Sequence, residues 1–204
     1  MSEVIDNAVP SKIEEKIAMQ CAPVIVGIKI ANLLVLNAYE EQYALNLFQD
    51  TQLMLQAICK FELKTYYLLY QPKKLKEYIQ QQQVLEYLKE LGYLNCSLDI
   101  ILQEVAYKYN KFMYERSNFP HEIGLLLGYP LNDVLRFIEE KGTGYLYSGY
   151  WKVYDNLPET LFIFSQYHRA RQILKRLILH GGKLSSVIRE VIQYECIQKE
   201  AQCK

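Results

Sequence analysis

Features of secreted and membrane proteins are absent from this sequence. The segment from Met1 to Asp6 has no basic stretch followed by an apolar block, so we expect no signal peptide. The longest mainly apolar run, from Val24 to Leu36, contains a glycine and two polar residues, and it falls short of the roughly 20 residues that span a bilayer. We therefore predict a cytoplasmic protein with no membrane partner.

The sequence also lacks the motifs of the common cofactor and metal sites. It contains no Gly-x-Gly-x-x-Gly, no Walker loop and no His-Glu-x-x-His, so the usual nucleotide and zinc-hydrolase classes have no support. Its five cysteines are an odd number, are widely scattered and form no Cys-x-x-Cys pair, which argues against a disulfide framework and a local zinc site. We expect reduced thiols and no metal site, and the sequence leaves any cofactor unidentified.

An excess of either charge is missing as well. The 23 lysines and arginines balance 23 acidic residues, so the whole chain has no bulk attraction for nucleic acid or anionic membranes. Half of the 204 residues are hydrophobic, which is enough to form a core. Tyrosine is abundant, at 18 residues. Its large ring and polar tip suit pocket walls and interfaces, although compositional bias explains the same count.

The spacing of apolar residues predicts a mainly helical chain. Helices are predicted over 11–20, capped by Ser11 and ended before Pro23, and over 40–59, 73–91, 97–114, 120–127, 130–141 and 157–180, with a last helix starting at Ser185 or Ser186. Strands are predicted over 33–37, 61–70 and 151–154. With no internal repeat or linker, the predicted fold is α+β: one mainly helical domain over 1–204, with a sheet of about three strands and frayed tails at 1–10 and 198–204.

Two motifs rich in glycine, proline and aromatic residues stand out in the second half of the chain. The first is FPHEIG, from Phe119 to Gly124, and it continues through LGYP, from Leu127 to Pro130, to Asp133. The second is GYWKVY, from Gly149 to Tyr154, which holds the only tryptophan. We expect the two motifs to pack together and to form a site.

These motifs, together with 21–23 (Cys-Ala-Pro), 68–70 (Leu-Leu-Tyr) and 92–93 (Gly-Tyr), resemble the signature of an uncharacterised bacterial family found mostly in anaerobes. The resemblance covers about residues 19–182. Ile30 and Gln71 stand where the family tends to have a proline and a basic residue. The family is known only as a domain of unknown function, so the resemblance implies a shared fold, and function must be argued from the site.

His121 and Glu122 are the first candidates for chemistry, because they start a predicted helix. The helix dipole disfavours an imidazolium there, so His121 would be neutral and able to accept a proton or bind a metal. With Arg116 nearby, the pair would bind an anion or perform acid–base catalysis. The alternative is structural: Asn118, His121 and Glu122 would satisfy free amides at the helix start.

Cys21 is the candidate nucleophile. A turn separates it from Lys29, and a nearby ammonium group lowers the pKa of a thiol and activates it. Together with His121 and Glu122 it would form a thiol–imidazole site. The alternative is a buried cysteine, with a lysine whose amine reaches water.

The aromatic residues around Trp151 are candidates for ligand binding. They would stack on a flat ligand such as a flavin, a haem or a base, with Lys152 facing an acidic group of that ligand. The alternative is a hydrophobic lid over a small domain. The predicted ligand-binding residues are Lys29, Arg116, Asn118, Tyr129, Trp151, Lys152 and Tyr154.

A separate basic face lies on the predicted helix over 157–180. It consists of His168, Arg169, Arg171, Lys175 and Arg176. This face would bind an acidic partner, such as a small electron-transfer protein, or a phosphate. The alternative is an ordinary solvated helix face.

The main functional hypothesis is a cytoplasmic accessory protein that binds a small ligand, a cofactor or a redox partner at the FPHEIG and GYWKVY motifs. A helix-turn-helix DNA-binding regulator over 120–141 competes with it, because glycines stand where two short helices would touch and turn. Its second helix carries three acids against one arginine, which makes nucleic acid an unfavourable partner. The sequence is also compatible with a thiol-dependent enzyme using Cys21 and with a purely structural or protein-binding role, so whether the protein is an enzyme stays open.

Overall fold

The computed structural model of the protein describes residues 8–94 and 96–191. The helices are α1 (Ala8–Ile25), α2 (Ala38–Phe48), α3 (Pro72–Ile79), α4 (Gln82–Glu90), α5 (Leu98–Glu115), α6 (Ile123–Leu126), α7 (Leu131–Glu139), α8 (Leu157–Leu179) and α9, which covers 184–191. The strands are β1 (Ala31–Asn37), β2 (Met54–Phe61), β3 (Lys64–Tyr70), β4 (Tyr147–Ser148) and β5 (Lys152–Val153). The predicted α+β class, mainly helical with a small sheet, is confirmed. Of the two predicted tails, 198–204 and most of 1–10 lie outside the described residues.

The main sheet has three antiparallel strands in the order β1-β3-β2. Because side chains alternate along a strand, β3 contributes to both faces of the sheet. Leu69 enters a core with α1 and α8, whereas its neighbour Leu68 enters a core with α3, α5 and α6. Both leucines are fully buried. The sheet is therefore covered on both faces and separates two hydrophobic cores.

The predicted end of the first helix is wrong, because α1 continues through Pro23 to Ile25. The residues on either side of the proline, Ala22 and Val24, are fully buried, and this packing offsets the lost backbone hydrogen bond. The helix ends at Ile25, and Gly27 in the following turn has a φ of +83°, which a residue without a side chain adopts easily. The chain then turns back, and the N–H of Lys29 donates to the carbonyl of Pro23 at 3.0 Å.

Two other predicted helices are divided in the structure. The predicted helix over 40–59 is wrong in its second half, because α2 ends at Phe48 and the chain becomes strand β2 from Met54. Pairing along β3 outweighs the helical spacing of these residues. The predicted helix over 73–91 is interrupted at Gln81, whose extended backbone separates α3 from α4.

The GYWKVY motif forms part of a short hairpin. Strand β4 pairs with β5 through Tyr147–Val153 and Ser148–Lys152. The hairpin contacts α7 on one side and the start of α8, through Phe164, on the other. Within the described ranges, no helix has both the length and the apolar character needed to cross a membrane.

Candidate functional site

The FPHEIG motif leads into a close contact between α6 and α7. A Cβ added to Gly124 would lie 3.0 Å from Cγ2 of Val134, so only glycine lets the two helices approach this closely. Gly128 makes the turn between them with a φ of +72°, and the N–H of Tyr129 donates back to the Gly124 carbonyl at 3.0 Å. The result resembles helix-turn-helix packing, with the start of α7 held beside α6.

Asp133 fastens the hairpin to α7. Its carboxylate accepts hydrogen bonds from the indole N–H of Trp151 at 2.6 Å and from the backbone N–H groups of Tyr154 at 2.8 Å and Asp155 at 3.2 Å. The side chain is buried, so each of these bonds is shielded from water. Asp133 is thus the residue that joins the two motifs. Asp133 stands in the first sequence motif, where its role was not predicted, and an acid among apolar motif residues is the signal that could have revealed it.

A cavity of about 380 Å³ lies between the FPHEIG segment and the hairpin, and we call it the aromatic cavity. The aromatic and basic side chains on its wall are Tyr109, Phe119, His121, Tyr129, Phe137, Trp151 and Lys152. The predicted contact between the two motifs is therefore present, and it leaves a half-open cavity between them.

Aromatic rings face this cavity in two groups. On one side, the His121 ring lies between Phe119 and Phe137, with centroid distances of 5.2 and 5.6 Å. On the other, Tyr129 stacks on Trp151 at 5.1 Å. A flat ligand between the two groups would contact ring faces or edges on both sides.

Lys152 supplies a positive charge to the cavity wall. Its ammonium group donates to the Gly142 carbonyl at 2.5 Å and lies 4.8 Å from the centroid of the Tyr145 ring. No carboxylate in the described part of the chain forms an ion pair with it. The other two hydrogens of the Lys152 ammonium group are therefore available to donate to a ligand.

Glu122 points away from His121, so the predicted acid–base pair is not assembled. The Glu122 carboxylate accepts hydrogen bonds from Lys108 at 2.7 Å and from the Tyr93 hydroxyl at 2.8 Å. Burial raises the pKa of Glu122, but hydrogen bonds from Lys108, its own backbone amide and Tyr93 outweigh burial and hold it below the usual value. Glu122 therefore joins α5 to α6 as a charged structural group.

Three other predicted ligand-binding residues lie outside the cavity wall. Arg116 and Asn118 are exposed, and Arg116 ends α5 in the left-handed conformation, with a φ of +53°. Tyr154 is buried in the hairpin, where its backbone N–H donates to Asp133. Arg116 and Asn118 therefore lie in the segment that precedes the FPHEIG motif, and Tyr154 stabilises the hairpin.

Cys21 and Lys29 do come near each other, but burial governs the thiol. Cys21 is fully buried in α1. Burial raises its pKa to about 12, although the charges of Lys29 and Arg171 act in the opposite direction. The thiol is therefore protonated at neutral pH, which removes the nucleophilic thiolate. Its described contacts are with Leu33 and Asn32, and none joins it to His121.

Lys29 is also buried, with 4% of its surface exposed. Its ammonium group donates to Oδ1 of Asn32 at 2.6 Å and lies 5.4 Å from the centroid of the Tyr129 ring. Burial, with a smaller contribution from the charge of Arg171, lowers its pKa to about 8, and the neighbouring Cys21 acts in the opposite direction. Lys29 does not line the aromatic cavity.

A second cavity, of about 660 Å³, lies between the hairpin and α8, and we call it the cationic cavity. Its polar and charged wall residues include Asn32, Tyr150, Ser165, His168 and Arg171. Tyr129 and Gly149 contribute to the walls of both cavities. Two residues of the basic face predicted on α8, His168 and Arg171, lie on the wall of this cavity. No cluster of three or more metal-binding side chains occurs within residues 8–94 and 96–191.

Comparison with known proteins gives one family and no characterised relative. A family model described as "Protein of unknown function (DUF3793)" matches residues 17–188. No curated protein and no solved structure matches the chain.

Proposed function

Because the chain belongs to the DUF3793 family of proteins of unknown function, we propose a function from the site itself: the protein binds a small, flat, acidic molecule in the aromatic cavity. The observation that carries this proposal is the half-open cavity between the FPHEIG and GYWKVY motifs. Its volume of about 380 Å³ lies within the range of small-molecule sites, which are mostly apolar with a few placed polar groups. We propose that the protein acts as a cytoplasmic accessory protein that carries or senses this ligand.

The wall chemistry supports the proposed ligand class. The Tyr129–Trp151 stack and the Phe119–His121–Phe137 group offer apolar ring surfaces for a planar molecule. A ligand carboxylate or phosphate would meet the Lys152 ammonium group, which has no carboxylate partner among the described residues. We expect His121 to give or accept a hydrogen bond at the same end of the ligand.

DNA binding, the competing hypothesis, has one supporting observation, which is the close contact of α6 and α7 at Gly124. The side chains of α7 weigh against it. Asp133 is engaged by the hairpin, and Arg136 is paired with Glu140. A recognition helix with its one arginine neutralised has little attraction for phosphate.

The thiol-dependent enzyme has less support than ligand binding. Its proposed nucleophile, Cys21, is fully buried and belongs to the core between α1, α8 and the sheet. A reactive cysteine needs both a lowered pKa and access to the substrate. The raised pKa of Cys21 and its burial favour a structural role.

The proposal is tested with 1-anilinonaphthalene-8-sulfonate, a flat apolar anion, as the probe. Trp151 is the only tryptophan and lies in the cavity wall, so its emission reports directly on occupancy. We expect saturable quenching of Trp151 by the probe. Lys152→Met keeps the apolar stem and removes the charge, and it should weaken binding about tenfold, as for one charge-assisted hydrogen bond.

Lys141→Met is the matched control, because Lys141 is exposed and does not line the cavity. It should leave probe affinity within about twofold of the natural protein, as expected for a surface substitution. Equal affinity in the Lys152 and Lys141 variants, or no quenching of Trp151, would contradict the proposal. Native mass spectrometry and an absorption spectrum of protein purified without oxygen would then identify a ligand that copurifies.

A further inference from the structure

The cationic cavity places two positive side chains within electrostatic range of each other. Arg171 lines the cavity, and Lys29 lies behind Asn32, another wall residue that accepts its hydrogen bond at 2.6 Å. The two cations come from distant parts of the chain, the turn after α1 and the middle of α8. The charge of Arg171 helps to lower the pKa of Lys29, as expected for two neighbouring like charges.

Within the described residues, neither cation forms an ion pair with an acid. Across the described ranges, the ion pairs with N···O distances up to 4.0 Å involve other lysines and arginines. Lys29 is buried and Arg171 is half-buried with its Nε atom shielded from water, and two such like charges without a counter-ion destabilise a fold. Such an arrangement is characteristic of functional sites, where a bound group of opposite charge completes the electrostatics.

Two polar groups beside these charges also lack protein partners. Nε of Arg171 and the hydroxyl of Tyr150 are buried and form no hydrogen bond with the described residues. The guanidinium carbon of Arg171 lies 4.5 Å from the centroid of the Tyr150 ring. This cation–π contact holds the guanidinium group beside the ring, and its planar fork of donors matches an oxyanion.

We propose that the cationic cavity binds the phosphate group of a small phosphate monoester. The two cations match the charge of about −1.5 to −2 that a phosphate monoester carries at neutral pH. Arg171 would bind two of its oxygens, and Lys29 would balance the remaining charge through Asn32. The volume of about 660 Å³ and the apolar wall of Leu161 and Phe164 leave room for an organic part beyond the phosphate.

This site is independent of the ligand proposed for the aromatic cavity. Lys152, the cation of the aromatic cavity, does not line the cationic cavity, and Arg171 does not line the aromatic one. Lys152→Met should therefore leave phosphate binding unchanged. The two proposals can fail separately.

The test is isothermal titration calorimetry with phenyl phosphate, using phenol and inorganic phosphate as comparison ligands. Arg171→Met should weaken phenyl phosphate at least about tenfold, as expected for loss of a bidentate charged contact. Arg169→Met is the control, because Arg169 is an exposed neighbour on the same helix and does not line the cavity. It should change the affinity by less than about twofold.

The comparison ligands identify the class of ligand, and a second variant is available if Arg171→Met does not fold. Tighter binding of phenyl phosphate than of inorganic phosphate supports an organic monoester, and equal binding supports free phosphate. Arg171→Gln, which removes the charge but keeps a polar side chain, provides a second variant if circular dichroism shows that Arg171→Met is unfolded, and it should also weaken binding. Phenol binding as tightly as phenyl phosphate, or the same affinity in all variants, would overturn the proposal.

The pH dependence of phosphate binding gives an independent readout. Lys29 is faced by Cys21 from α1, Asn32 from β1, Tyr129 from the turn before α7 and Arg171 from α8. Among these, Lys29 is the group that loses its charge near pH 8, since its pKa is about 8 and those of Cys21 and Tyr129 are about 12. Affinity should fall above about pH 8, and binding at that pH should take up protons, because a bound anion favours the ammonium form. Binding without proton uptake at that pH would contradict the role of Lys29.

Discussion

At the residue scale, the buried charges of the described residues divide into acids with partners and one cation, Lys29, without a counter-ion. Glu14 accepts hydrogen bonds from the Tyr43 hydroxyl and the Leu184 N–H. Asp133 similarly accepts the donors of the hairpin. Lys29 has a hydrogen-bond acceptor and a neighbouring ring but no described carboxylate. Satisfied acids stabilise a fold, whereas an uncompensated buried cation reduces stability and requires a functional explanation.

Removing the Lys29 charge should stabilise the protein at neutral pH. The folded pKa of Lys29 is about 8 against an ordinary value of 10.5, so the folded protein binds fewer protons than the unfolded chain between these values. Stability therefore rises with pH across this window, and the buried ammonium destabilises the fold by about 3 kcal/mol below it. Lys29→Met should add about 1–2 kcal/mol to the free energy of unfolding at pH 7, since the lost hydrogen bond to Asn32 offsets part of the gain.

Urea denaturation at pH 7, 8 and 9 measures this effect. The advantage of Lys29→Met should shrink as pH rises above about 8, because Lys29 itself becomes neutral there. The raised pKa of Cys21 acts in the opposite sense above pH 9, but it is present in both proteins and largely cancels in the difference. Lys12→Met, on the exposed side of α1, should change stability by less than about 0.5 kcal/mol. A lower free energy of unfolding for Lys29→Met than for the natural protein at pH 7 would contradict this prediction.

At the element scale, the β4–β5 hairpin depends on α7 for its position. With two paired residues in each strand, it is too short to be stable alone. Asp133 supplies acceptors for one indole and two backbone donors, and the Trp151 ring packs against Phe164 of α8 at 4.5 Å. The Asp133 carboxylate and aromatic contacts with Tyr129, Phe164 and Tyr167 thus hold the hairpin, which forms a wall of both cavities.

Asp133→Asn should loosen this hairpin while keeping the size of the side chain. The new amide group turns a donor towards either the Trp151 indole or the backbone N–H groups, so one buried hydrogen bond becomes a donor–donor contact. We expect a loss of about 2–3 kcal/mol in the free energy of unfolding, together with a red shift of Trp151 emission.

Asp155→Asn is the control for this substitution. Asp155 is exposed and accepts one hydrogen bond, from the N–H of Asn156, so its amide variant should cost about 0.5 kcal/mol or less. Unchanged emission and unchanged urea stability in Asp133→Asn would show that the carboxylate does not hold the hairpin.

At the scale of the whole molecule, charge balance limits the partners. The chain has no net charge, and the arginine of α7 is paired with Glu140. Non-specific DNA binding depends on cations that neutralise phosphates and release counter-ions. Neither the molecule nor α7 supplies such a surface, whereas α8 carries a local basic face.

Fluorescence anisotropy with labelled duplex DNA at low salt should therefore show no binding. If anisotropy rises, Arg136→Met and the double variant Arg169→Met, Arg176→Met locate the surface responsible. Loss of binding in Arg136→Met would restore the helix-turn-helix hypothesis, because Arg136 lies on α7. Loss in the double variant would assign the contact to α8, where both arginines lie.

Local patterns predicted most helices and the middle of the sheet. The apolar spacing after Ser97 predicted α5 nearly to its last residue, and the glycines around α6 and α7 predicted two short helices with a tight turn. Prediction failed at Pro23 and along β2, because burial and strand pairing with β3 decide those segments. These forces come from residues distant in the chain, so a local window does not contain them.

The sequence by itself determined the family, the α+β class and the two motifs that enclose the aromatic cavity, because helical spacing, turn residues and a long contiguous signature are local properties. Only the tertiary structure decided which side chains face that cavity. His121 and Glu122 are adjacent in the chain, but His121 lines the cavity whereas Glu122 binds Lys108, because successive side chains of a turn project in different directions. Lys29 and Arg171 come together only because α1 and α8 pack side by side on the same sheet, and no local pattern specifies that contact.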